Sequence, residues 1–160
     1  MIPLNTFRYY YYILIEVIKM AEISKEKMDE IIYDFKRAGP WSGTIAQRKE
    51  KFANCFARLC EASGLDVDGW IMEFDIPNTF REWTNSGNSS VSFLDHKVVM
   101  RGRLSVVTLL HEFGHIYLRD NQLDNDTVQD FAVKLFEEYF PEKMTQLDKD
   151  PETGMLKKRQ

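Results

Sequence analysis

The stretch TLLHEFGHIYL, residues 108–118, restricts the fold more than any other part of the chain. Wound as a helix from about Leu104 to Arg119, it turns about 100° per residue and sorts its side chains sharply. Ser105, Thr108, His111, Glu112, His115 and Arg119 fall in one arc. Val106, Val107, Leu109, Leu110, Phe113, Ile116, Tyr117 and Leu118 cover most of the remainder. Such a helix is buried on most sides and keeps one narrow polar stripe. That stripe must be wet, hydrogen-bonded or occupied, because a buried polar group left unpaired is costly.

The stripe holds residues suited to a metal. His111 and His115 are four apart, so both imidazoles lie on one helical face and can offer nitrogens to one ion. Glu112 is turned about a quarter of the circumference away, which suits a proton acceptor beside the metal better than a ligand. Gly114 permits close packing. HExxH on a helix is a zinc-peptidase signature, and the metal expected is Zn2+. The chain has 3 histidines, and two of them are here. The competing reading is a chance motif whose histidines are capped by neighbours. The third, His96, follows Asp95 at an apparent hairpin and reads as a turn or strand residue, the alternative being a second electrophile that stabilises an oxyanion in the site.

The other elements read as two leading helices, a small sheet and a closing helix. SKEKMDEIIYDFKRAGP puts Met28, Ile31, Ile32 and Phe35 on one face and is stopped by Gly39 and Pro40. TIAQRKEKFANCFARLCEASG opens with a Thr44-x-x-Gln47 capping box and ends at Gly64. WIMEFDI is strand-like, NSGNSS (85–90) a loop, and VSFLDHKVVM a hairpin or two short strands about Asp95-His96. A last helix spans about Asp126 to Phe140 and stops at Pro141. Residues 142–160 are polar and are expected to form a flexible tail. Residues 1–20 are an N-terminal extension of uncertain role, and Met20 is an alternative start. Their apolar run from Tyr9 to Ile18 is interrupted by Glu16, and a membrane span needs ~20 such residues. With a net charge of −4 and 29% charged residues, neither a nucleic acid nor a membrane is expected as partner, and the cytoplasm is the expected location. Cys55 and Cys60 fall in an apolar helical pattern and read as packed free thiols. Trp41, Trp70 and Trp83 are too far apart in sequence to form a stacking platform and read as packing residues.

LSVVTLLHEFGHIYL resembles the active-site helix of zincin metallopeptidases, and NDTVQDFAVKLF resembles the second helix of the ImmA/IrrE-type family. The resemblance covers about residues 90–140. That family carries E-x-x-A-N-x-F-A followed by two aliphatic residues, its leading glutamate being the third zinc ligand. Matching Phe131-Ala132 to the pattern puts Val128 on its alanine and Asn125 on its glutamate, a departure. Acids flank Asn125. Asp126-x-x-x-Asp130 copies a spacing seen in glutamate-zincins, where a ligand is followed four residues later by an aspartate that orients a histidine. Against this, Asp126 and Asp130 lie nearly opposite the apolar face expected from Val128, Phe131, Ala132, Leu135 and Tyr139. Asp124 is an equal candidate for helix N-cap, with Leu123 and Val128 as a hydrophobic staple. Asp126, Asp124 or neither completes the set, and Asp126 is the nominated ligand.

The resemblance implies an α+β, compact zincin-like domain over residues 21–141, with a small antiparallel sheet, the HEFGH helix and a closing helix. It implies a zinc metalloendopeptidase that hydrolyses a cytosolic regulatory protein, of the kind found in phages and mobile elements. Glu112 would be the general base, and an exposed strand near Val91–Met100 would hold the substrate chain. Two alternatives are a zincin-like binding module without activity and a purely structural domain.

Overall fold

Ser24 opens the first helix of the computed structural model, its hydroxyl accepting the Lys27 N–H at 3.1 Å. The structure describes residues 23–64, 69–78, 89–92, 95–118, 125–149, 151 and 156–158; for 125, 126, 149, 157 and 158 it describes the backbone alone. The N-terminal extension, Trp83, most of the NSGNSS loop, Arg119 and Asp124 lie outside the described residues, as does the side chain of Asp126.

Helix α1 (Lys25–Ala38) buries Met28, Ile31, Ile32 and Phe35, the face its periodicity predicts. It ends at Gly39, whose φ of 80° is the left-handed conformation that glycine adopts without a Cβ penalty. Helix α2 (Ile45–Ser63) begins with the expected capping box, both of its hydrogen bonds being present. Phe52, Cys55, Phe56, Leu59, Cys60 and Ser63 are buried along one stripe. The Ser63 hydroxyl donates to the Cys60 carbonyl at 2.6 Å, which satisfies a buried polar group inside that stripe. Both cysteines are free thiols, and burial pushes the Cys55 thiol up to about 12. Folded protein at pH 8 is therefore expected to resist an aromatic disulfide reagent, both thiols reacting only in denaturant. Rapid reaction in the native state would contradict this packing.

Strands β1 (Ile71–Asp75), β2 (Ser90–Ser92) and β3 (Lys97–Arg101) form a sheet in the order β1-β3-β2. The expected β2–β3 hairpin is present and antiparallel, with Ser92 opposite Lys97. The sheet as a whole is not antiparallel, because β1 pairs parallel to β3, Met72 opposite Val98 and Phe74 opposite Met100. Two reversals separate β1 from β3, so the two strands point the same way. The most apolar strand then takes the centre: Val98 and Met100 are fully buried. Glu73 and Asp75 stay on the outer face, in ion pairs with Lys97 at 3.2 Å and Arg101 at 3.6 Å. His96 has a φ of 50° in the hairpin turn and stacks on Trp70 at 5.1 Å, in agreement with a structural role. Trp70 is itself buried.

Helix α3 (Val106–Tyr117) packs on α2 and the sheet, and most extensively on α4 (Asn125–Tyr139). Tyr139 anchors α4 to α1. Its hydroxyl donates to Asp29 at 2.6 Å and accepts from Lys25 at 3.2 Å. Helix α4 stops before Pro141 as expected, and Pro141 then opens a short helix α5 (Pro141–Met144), where a missing N–H is harmless. The segment expected as a flexible tail also carries β4 (Leu147–Lys149) paired antiparallel with β5 (Leu156–Lys158). Leu147 and Leu156 pack against the core, which accounts for the ordering of an otherwise polar stretch. The described residues thus form a mixed α+β fold of five helices and two small sheets, and no helix among them is long and apolar enough to cross a membrane.

Candidate metal centre

Ser105 caps α3, its hydroxyl accepting the Thr108 N–H at 3.2 Å, and this fixes the start of the helix one and a half turns before the motif. Val106, Leu109, Leu110, Phe113 and Ile116 are buried, while His111 and His115 are half-buried. The polar stripe read from the sequence is therefore a real feature of the helix. Its histidines converge: Nε2 of His111 and Nε2 of His115 are 3.0 Å apart, with the rings edge to face. Two nitrogens bound to one tetrahedral zinc at ~2.0–2.1 Å stand about 3.3 Å apart. The pair needs to spread by only a few tenths of an ångström to share an ion, so both imidazoles fit zinc.

His111 has a second partner. Its Nδ1 lies 2.8 Å from Oε1 of Gln129 on α4. An amide oxygen accepts and does not donate, so Nδ1 carries the proton and Nε2 keeps a bare lone pair. In the metal-free protein that lone pair accepts from His115 Nε2–H across the 3.0 Å contact, and His115 gives up this proton, or moves it to Nδ1, before its Nε2 can bind an ion. Burial lowers the pKa of both rings below the usual histidine value, which keeps them neutral and fit to bind metal. For His111 the Gln129 contact opposes this shift, and for His115 the His111 ring adds to it.

Glu112 is 6% exposed, and burial alone lifts its pKa to about 7. No described residue supplies it with a charge or hydrogen bond that opposes the shift. A buried carboxyl raised by desolvation, next in sequence to His111, is a candidate proton-transfer group.

Gly114 sets the approach of α4. A Cβ there would meet Phe131 Cδ1 at 2.9 Å and Val128 Cγ1 at 3.1 Å. Gly114→Ala gains about 1 kcal/mol of helix propensity but overpacks this crossing at a cost of about 1–3 kcal/mol. The expected result is a net loss of about 1 kcal/mol, read as a melting temperature lower by about 2–4 °C. An unchanged or higher melting temperature would show that α4 yields freely here.

The buried arc of α4 is wider than its sequence suggests. Val128, Ala132, Val133, Phe136 and Tyr139 are buried, whereas Phe131 and Leu135 are only half-buried. The arc extends round to Val133 and takes in Gln129, one turn before it. Sequence reading missed Gln129 as a site residue. A signal existed: the E-x-x-A-N-x-F-A pattern carries an amide at the position where this chain has Gln129.

The same extension changes the standing of the acids. Asp126 is one turn before Gln129 and two turns before Val133, so its backbone places it beside the histidine-facing strip and not opposite the buried face. Asn125 is also one turn before Gln129. Asp130, the acid expected to orient a histidine in the Asp126-x-x-x-Asp130 reading, is exposed, and Gln129 holds the Nδ1 of His111 instead. Among the described residues no group of three or more His, Cys, Asp or Glu gathers. Compared with known proteins, the chain matches no family model, no curated protein and no solved structure.

Proposed function

We propose that this protein is a zinc metallopeptidase of zincin type, resembling the ImmA/IrrE-type family, that hydrolyses a regulatory protein in the cytoplasm. The observation that carries the reading is the convergence of His111 and His115 Nε2 at 3.0 Å beside a buried Glu112 whose pKa is about 7. His111 and His115 hold the ion, with Asp126 nominated as the third ligand from the start of α4. Zinc, when bound, supplies Lewis acidity toward a carbonyl oxygen and makes water more acidic. Glu112 takes the proton of the attacking water as its oxygen bonds to the carbonyl carbon. The same carboxyl then gives a proton to the amine as the C–N bond breaks.

The edge that would hold an extended substrate is narrower than the segment Val91–Met100. β3 is paired on both sides, so β2 is the open edge of that hairpin among the described residues, and it lies against α3. Backbone groups of Ser90–Ser92 would pair with the substrate chain.

The test is digestion of a mixed-sequence peptide library with zinc-loaded protein, read by mass spectrometry. New termini that appear with wild type and are absent with Glu112→Gln support the reading. An inactive zincin-like binding module is the second reading, favoured by Asn125 at the position of the family's ligand glutamate. Zinc binding with no cleavage of any library member would favour that module.

A further inference from the structure

Gln129 sits in the strip of α4 that is buried at Val133 and Phe136, yet it is polar and half-buried. Its Oε1 is 2.8 Å from His111 Nδ1, and the bare Nε2 on the far side of that ring points at His115. The close crossing at Gly114 brings α4 near enough for this contact, since a Cβ there would touch Val128 and Phe131. A metal-ligating histidine normally donates its other N–H to a carboxylate, a carbonyl or water. A carboxylate makes the ring a stronger electron donor; a neutral amide orients the ring without that added charge.

We propose that Gln129 is the positioning residue of the centre, locking His111 with Nδ1 protonated and Nε2 unprotonated. Its neutral amide sets a weaker hold on metal than a carboxylate in the same place would. The second part rests on the metal-centre reading above; the first does not.

Three proteins test it: wild type, Gln129→Met, which keeps the length but removes the acceptor, and Gln129→Glu, which keeps the acceptor and adds charge. Zinc affinity is measured by competition with a chromophoric chelator. Imidazole nitrogen NMR on the metal-free proteins reports the His111 tautomer. Gln129→Met is expected to weaken zinc binding by about 10- to 100-fold, and Gln129→Glu to tighten it. In the metal-free wild type Nδ1 of His111 carries the proton, and Gln129→Met loses that preference. A merely structural role would shift both variants in the same direction and leave the tautomer unchanged, which would overturn the proposal. So would wild-type affinity in both. A wild type that binds no zinc sinks the metal reading and the affinity part with it, while the tautomer measurement still decides the positioning role.

Discussion

Glu112→Gln is expected to lower peptide hydrolysis by about 10²- to 10⁴-fold while leaving zinc content at the wild-type level. The substitution keeps the shape of the side chain and removes its ability to accept a proton. Glu112 is not placed to bind the ion: the two convergent nitrogens belong to His111 and His115, and the residue between them on the chain is turned about a quarter of a circle away. Its distinguishing property is burial with no compensating charge among the described residues. Measuring cleavage rate and zinc content on the same preparations separates the roles. Retained activity in Glu112→Gln would remove Glu112 from the chemistry, and lost zinc would make it a ligand.

The same carboxyl makes metal-free protein sensitive to pH, with a sign fixed by the direction of its shift. Its folded pKa, about 7, lies above the ordinary glutamate value of 4.5. Between these values the folded state holds more protons than the unfolded one, so Glu112 takes stability away as pH rises through this window. The full effect is about 3 kcal/mol. His111 and His115 act oppositely: their lowered pKa values remove stability as pH falls below the usual histidine value. Comparing wild type with Glu112→Gln at each pH cancels the histidines. In denaturant titrations of metal-free protein, the Gln variant is expected to gain on wild type from pH ~4.5 to ~7 and then hold its lead. Zinc is expected to shrink that lead, because a divalent cation nearby favours the charged carboxylate. A pH-independent difference would mean that Glu112 is solvated.

Local patterns were the legible part of this chain. The faces of α1 and α2, the Thr44–Gln47 capping box and the Asp95-His96 hairpin all follow from residues close together in sequence. The pairing of β1 with β3 does not, because strand order depends on which strand best fills the centre of the sheet. Within residues 142–160, read from composition as a polar tail, Leu147 and Leu156 nonetheless pack against the core from the paired strands β4 and β5. In the site, His111, His115 and Glu112 were visible because helical spacing alone puts them on one stripe. Gln129 had only the amide of the E-x-x-A-N-x-F-A pattern to mark it, since its role depends on how far α4 is rotated against α3, and the buried Val133 that reveals the rotation lies outside the apolar face expected from sequence.

The central claim, that His111 and His115 share a metal ion, is tested most directly by the zinc content of protein purified without added metal or a metal-binding tag. Wild type is compared with His111→Ala, His115→Ala and Glu112→Gln. Stoichiometric zinc in wild type and Glu112→Gln, lost in both histidine variants, is the expected result. No zinc in well-folded wild type, even after zinc is added back, would contradict it, and the 3.0 Å contact between the two rings would then be a hydrogen-bonded pair within a structural helix.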